Sequence, residues 1–159
     1  MIVNLFVIKG VFHTEDIIDK AYKSFYEGET PKVLRTDKNK PYFENNAVYF
    51  SLSHSKEYTA VAFCEEEIGI DLQEKRTLKN DIAKRYFHPD EQKALKNGFD
   101  FYKIWTMKES FVKFKGTGID ENFKNFSSFD LNYFTHSDLI PDHTLCVYSQ
   151  NPIELRGTL

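Results

Sequence analysis

Trp105-Thr106-Met107-Lys108-Glu109-Ser110-Phe111-Val112-Lys113 is the stretch with the most chemistry in it. If helical, it sets Trp105, Glu109 and Lys113 in one row four residues apart, with a carboxylate and an ammonium on a shared face. Upstream lies Ile68-Gly69-Ile70-Asp71-Leu72-Gln73, whose period of two sends Ile68, Ile70 and Leu72 to one side of a strand and Gly69, Asp71 and Gln73 to the other. Ser53-His54-Ser55 follows an apolar run, where side chains and backbone amides can converge on an anion. Two acids for a divalent cation, a lysine and a histidine are together the parts needed to handle a pyrophosphate.

Each part also has a plain reading. Glu109 and Lys113 could form an exposed i, i+4 pair, worth a few tenths of a kcal/mol. Trp105 could be ordinary packing, and His54 a surface turn residue. Location favours use, because Lys108, Glu109 and Lys113 adjoin a stripe of core candidates, the aromatic Phe101, Trp105 and Phe111 with Ile104 and Val112, where a carboxylate needs a metal or a partner charge.

The elements that must position these groups follow from patterning. Residues 2–8 alternate as a strand, and Thr14-Glu15-Asp16-Ile17 opens a helix running to about Tyr26, with Gly28 beyond it. Residues 31–46 are polar and interrupted by Lys38-Asn39-Lys40-Pro41, so they are expected to be mostly loop, with a short strand at 32–35. Strands are expected at 47–52, 58–64 and 67–73, joined by a turn at Ser53-His54-Ser55 and a tight one at Glu65-Glu66, as an antiparallel meander. Helical segments follow at 81–85, at His88-Pro89-Asp90-Glu91 and at about 99–114, the last stopped by Gly116 and Gly118. Strands are expected again near 126–133 and 144–149.

With 159 residues the chain fits one domain. A net charge of −3 gives no bulk reason to expect nucleic-acid binding. Cys64 and Cys146, each alone in an apolar run, suggest neither a disulfide nor a zinc site. The apolar residues 1–8 are too short for a membrane span and lack a signal peptide's features, so a cytoplasmic protein with no membrane partner is expected.

Taken in order, Lys40-Pro41, Ser53-His54-Ser55, Gly69-Ile70-Asp71 and Trp105 through Lys113, followed by Lys115-Gly116-Thr117-Gly118-Ile119, resemble the 4′-phosphopantetheinyl transferase superfamily over roughly residues 40 to 120. The resemblance implies an α+β fold of two unequal, related halves. Each half is an antiparallel sheet packed by a long helix, with the site in the cleft between them. It implies one domain over 1–159, in which 1–45 is an abridged N-terminal half and 46–159 carries the motifs.

The implied activity is Mg²⁺-dependent transfer of the 4′-phosphopantetheine arm of coenzyme A to a serine of an apo acyl carrier protein or peptidyl carrier domain, with Mn²⁺ as a substitute ion. On the same resemblance Asp71, Glu109 and Gln73 hold the metal, and Glu109, Lys113 and His54 act in catalysis. Lys40, Ser53, His54 and Lys113 bind coenzyme A. Gln73 stands where surfactin-synthetase-type enzymes often carry a third acid, which keeps a non-catalytic coenzyme A or carrier-binding module as the rival reading. Lys9, Lys32 and Arg35 are the stand-ins for the 3′-phosphate site, and Lys84, Arg85 and Lys124 for contact with an acidic carrier.

Overall fold

The computed structural model describes residues 1–77 and 81–158. Strand β1 (Ile2–Lys9) alternates as expected and buries Val3, Leu5 and Val7 on one face. Helix α1 (Thr14–Lys23) places Glu15 and Asp16 at the positive end of its dipole and buries Ile17, Ile18 and Ala21. It ends at Lys23, and Tyr22 O accepts from the amides of Phe25 and Tyr26 as the chain turns away. The stretch expected to be loop holds a small hairpin, β2 (Val33–Arg35) with β3 (Pro41–Phe43), turned by Asn39 in the left-handed region at φ 66°. Next come β4 (Tyr49–Ser55), β5 (Tyr58–Cys64) and β6 (Ile68–Glu74).

Helices α2 (Ile82–Tyr86), α3 (Pro89–Lys96) and α4 (Phe101–Lys115) follow, then β7 (Phe134–Ser137), β8 (His143–Ser149) and β9 (Glu154–Thr158). Asp100 caps α4 by accepting from the Tyr102 and Lys103 amides, and Gly116 ends it in the left-handed conformation at φ 68°. The strand expected at 126–133 is instead loop with a 3-10 turn at Ser128–Asp130. There Ser127 Oγ accepts from the Phe129 amide and the Ser128 amide is held by Glu91, so side chains take donors that a ladder would need.

Two sheets meet face to face. One has the order β4-β5-β1-β9, and the other has the order β6-β8-β7. The expected three-strand meander is corrected here: β4 and β5 form a hairpin, but β6 pairs with β8 from Ile68↔Ser149 to Glu74↔His143. The cause is that both edges of β5 are occupied, by β4 on one side and by β1 on the other. The break between sheets therefore falls in the Glu65-Glu66-Glu67 turn, and β4 and β5 share a sheet with β1. Strand β9, which periodicity did not reveal, lies parallel to β1.

Between the sheets Val3, Leu5, Val7, Ala60 and Ala62 pack on Ile68, Ile70, Leu72, Leu145 and Val147. Burying each large aliphatic side chain contributes about 1.5–3 kcal/mol. The outer face of the first sheet is covered by α1 through Ile17, Ile18, Phe43, Phe50 and Phe63. On the second, α4 lies against β6 and β8. The result is a helix–sheet–sheet–helix stack, an α+β fold with each sheet backed by a helix.

Candidate active site at the junction of the two sheets

Gly69 sets the site's geometry. A Cβ there would stand 2.0 Å from the Ser110 carbonyl oxygen and 2.4 Å from the Phe114 amide nitrogen, so only glycine lets α4 lie this close to β6. Two residues along the same face, Asp71 comes under the row that α4 carries. Lys113 Nζ donates to Asp71 Oδ1 at 2.8 Å and to Ser53 Oγ at 2.8 Å. Lys113 thus makes its ion pair with Asp71 on another element, not with Glu109 one turn away. Trp105, a turn further back, is half-buried against the rings of Phe101, Phe87, Tyr86 and Phe123 and still reaches the same cleft.

The two acids are strained in complementary ways. Asp71 is 5% exposed, and its Oδ2 is buried without a hydrogen-bond partner. Glu109 is pushed up to about 7 by burial and by the negative charge of Asp71, against the opposing pull of Lys113. A carboxylate oxygen without a partner, beside a second carboxyl whose ionised form is disfavoured by burial and by that neighbouring charge, fits a hard divalent cation taken through oxygen. Gln73 extends this face. It is half-buried, its side-chain amide approaches only the Glu74 carbonyl at 3.5 Å, and it borders the cleft with Asp71 and Glu109. Among the described residues no group of three or more His, Cys, Asp and Glu side chains gathers; the cleft is bordered by the Asp71 and Glu109 carboxylates and the Gln73 amide.

Ser53-His54-Ser55 forms the end of β4, not the turn expected from its polarity. Strand alternation then separates neighbours: Ser53 is buried and His54 exposed, yet both border the cleft of about 400 Å³ that holds Asp71, Glu109 and Lys113. A second cleft of about 360 Å³ shares Leu52, Glu109 and Lys113 and runs to Arg35, Lys38 and Lys40. Lys40 lines it, but its ammonium already donates to the Glu67 carboxylate and to the Phe114 carbonyl at 2.8 Å, tying the β2–β3 hairpin to the end of α4. Arg35 borders the same cleft and pairs with Glu15 at 3.2 Å.

Lys9 pairs with Glu57 and Lys32 is exposed, and neither lines either cleft. Lys84, Arg85 and Lys124 form an exposed basic group, joined by a 2.7 Å bond from Lys124 Nζ to the Lys84 carbonyl. Sequence reasoning missed Lys38, whose place in the cleft depends on the hairpin bringing residues 35–40 over β4.

It also missed the support behind Glu109. Lys108 and Glu91 are both fully buried and paired at 3.0 Å. Lys108 Nζ also donates to the Phe126 carbonyl at 2.6 Å, and Glu91 accepts from the Ser128 amide and hydroxyl and from the His88 amide. Burial lowers the proton affinity of Lys108 and Glu91 opposes that effect, so the ion pair locks α4 to α3 and to the loop after it. The only sequence signal was Glu91 three residues past His88, a capping-box spacing, and that box is formed.

The family model of the 4′-phosphopantetheinyl transferase superfamily matches residues 67–146, from the turn before β6 into β8. The chain belongs to this superfamily. Asp71, Gln73, Glu109 and Lys113 lie inside the matched stretch, whereas Lys40, Ser53 and His54 precede it. Relatives carry the same designation. The chain is 35% identical over 85 residues to 4′-phosphopantetheinyl transferase Sfp of Bacillus subtilis, covering 50% of this chain and 38% of that protein. It is 34% identical over 115 residues to 4′-phosphopantetheinyl transferase psf-1 of Bacillus pumilus, covering 65% and 49%. With the putative 4′-phosphopantetheinyl transferase slr0495 of Synechocystis sp. it shares 35% identity over 120 residues, covering 69% and 43%. The matched stretch thus spans less than half of each of these superfamily members.

Proposed function

We propose that this chain transfers the 4′-phosphopantetheine arm of coenzyme A to a serine of an apo acyl carrier protein or peptidyl carrier domain, giving the holo carrier and adenosine 3′,5′-bisphosphate. The observation that carries the reading is the buried, unpartnered Asp71 Oδ2 beside a Glu109 poised near neutrality, with the Lys113 ammonium bonded to the other oxygen of Asp71 and all three bordering one cleft. We read residues 1–159 as one transferase domain whose first 45 residues are an abridged half.

Asp71, Glu109 and Gln73 would hold Mg²⁺, or Mn²⁺ in its place. Such an ion neutralises charge on the pyrophosphate and its leaving oxygen. The protein's own groups do the rest. In the transfer the carrier serine oxygen forms a bond to the phosphorus bearing the pantetheine arm. The bond from that phosphorus to the bridging oxygen breaks, and the adenosine bisphosphate leaves with the electron pair. Glu109 takes up the serine proton: its carboxyl stands near 7 in the metal-free chain, and the ion it would hold favours the ionised form that accepts a proton. Lys113 can exchange Asp71 for a phosphate oxygen and stabilise the charge that develops there.

His54 at the open side of the cleft, with Lys40, Lys38 and Arg35 along its extension, gives the nucleotide phosphates cationic and hydrogen-bonding partners. Lys84, Arg85 and Lys124 are the basic face for an acidic carrier. No helix among the described residues is long and apolar enough to cross a membrane, and the buried free thiols of Cys64 and Cys146 suit a reducing cytoplasm.

Intact-protein mass spectrometry of apo carrier proteins incubated with this protein, coenzyme A and Mg²⁺ tests the reading. A gain of one phosphopantetheine that disappears with chelator supports it. No gain on any carrier type, in folded protein that binds coenzyme A, overturns it in favour of a binding module, for which Gln73 in place of an acid is the first cause to examine.

A further inference from the structure

Strand β6 is an edge strand, and its outward amides at Ile70, Leu72 and Glu74 face β4, the edge of the other sheet. No backbone ladder joins the two. Instead Ser51, Ser53 and Ser55, spaced by two along one face of β4, accept those amides through their hydroxyl oxygens at 3.0, 3.1 and 2.8 Å. All three serines are buried, and the bonds to the Ile70 and Leu72 amides satisfy backbone donors that water does not reach, while the bond to Glu74 is partly buried.

The middle rung differs from its neighbours. A serine hydroxyl offers one proton and two lone pairs. In Ser53 the proton goes to Asp71 Oδ1 at 3.1 Å, one lone pair takes the Leu72 amide and the other takes Lys113 Nζ at 2.8 Å. A phosphate oxygen, which can only accept, would have to displace Asp71 to reach it. The hydroxyl is therefore committed within the protein, and its effect is to fix one oxygen of Asp71 while the other, Oδ2, has no partner.

We propose that Ser53 is a positioning residue for Asp71: anchored by the Leu72 amide, its hydroxyl pins Oδ1 and leaves Oδ2 as the free oxygen toward a divalent cation. This rests on the metal-holding part of the function proposed above. It gives Ser53 a task distinct from the contact with coenzyme A that the family resemblance implies.

The test is Mn²⁺ titration followed by electron paramagnetic resonance, without coenzyme A or carrier, on wild type, Ser53→Ala, Ser53→Thr, Ser55→Ala and Asp71→Ala, with thermal melts alongside. Ser53→Ala should weaken Mn²⁺ binding by about tenfold, the effect typical of losing a partner that orients a metal ligand. Ser53→Thr, which keeps the hydroxyl, should stay within about threefold of wild type by the same reasoning. Ser55→Ala loses a comparable bond to β6 and should melt earlier, yet hold Mn²⁺ within about twofold, since Ser55 does not touch Asp71. If alanine at 53 unfolds the chain, Ser53→Cys keeps the size with a weak donor and should show the same loss.

Binding unchanged in Ser53→Ala or Ser53→Cys, while Asp71→Ala has lost Mn²⁺, overturns the proposal and leaves the metal reading standing. An equal loss in Ser55→Ala also overturns it, because the whole ladder would then be responsible. If wild type does not bind Mn²⁺, or Asp71→Ala binds it as wild type does, the metal reading itself fails.

Discussion

Replacing Glu109 with glutamine should stabilise the metal-free protein, and by an amount that depends on pH. The carboxyl stands near 7 in the folded chain against 4.5 for the free group, a rise of about 2.5 units, and each unit is worth about 1.36 kcal/mol. The folded state therefore holds the proton more tightly than the unfolded one. Stability from this group is intact below about pH 4.5, declines as pH rises from there to about 7, and is then reduced by about 3 kcal/mol. Glutamine has the same shape and no charge to bury, so Glu109→Gln should escape that loss. The gain should be near zero at pH 4.5 and about 3 kcal/mol at pH 8, or about 6–12 °C in Tm for a chain of this size.

Differential scanning calorimetry in chelator at pH 4.5, 6 and 8 reads it directly. If the Tm difference between the two proteins does not grow with pH, then Glu109 is not held in the charge-hostile setting that Asp71 and burial impose, and its role as base loses its physical basis. Adding Mg²⁺ at pH 8 should raise the Tm of wild type more than that of Glu109→Gln, because a ligand stabilises the form that binds it better.

Gly69→Ala should cost more than about 3 kcal/mol or prevent folding, since its methyl would meet the α4 backbone at 2.0 Å with nothing flexible to yield; urea unfolding or the soluble yield of the variant checks it. Glu91→Ala, by stranding a fully buried Lys108, should destabilise by about 3–5 kcal/mol, and the double change Glu91→Met with Lys108→Met should cost less than that in the same urea assay. Gln73→Glu should tighten Mn²⁺ binding by adding a third carboxylate at the cleft, read by electron paramagnetic resonance; a weaker ion or lost binding would give Gln73 a different job.

Much of the site was legible because its parts obey local periodicities. Asp71 and Gln73 share a face with Gly69 by strand alternation, Glu109 and Lys113 share one by helical spacing, and both faces survive in the folded chain. What escaped was set by partners distant in sequence. Ser53-His54-Ser55 has the composition of a turn, but its serines answer the unpaired amides of β6, some 19 residues away, and so stay in a strand. The assignment of β6 to the second sheet turned on β1 having already taken the free edge of β5, which no window around residue 68 contains. Lys40 borders the cleft, and what its motif did not signal is the pair of contacts that anchor it there, from its ammonium to Glu67 and to the Phe114 carbonyl at the end of α4. The buried Glu91–Lys108 pair went unseen because two charges with polar neighbours in sequence carry no sign that each will lose all contact with water.

The pairing of β9 with β1 has a consequence in time. Ile2 lies beside Glu154 and Phe6 beside Thr158, so the last strand of the first sheet joins a strand made about 150 residues earlier. During synthesis β1 can gather β5 and β4 once residues near 64 have left the ribosome, but its other edge stays open until 154–158 emerge. For that interval the nascent chain presents an unpaired strand carrying Val3, Leu5 and Val7, the kind of edge that recruits other chains. Closing a loop of this span is also slow relative to the local helices. Slowing translation after residue 64 would therefore prolong the aggregation-prone interval, and a chaperone that shields the outer edge of β1 would raise the yield of folded protein.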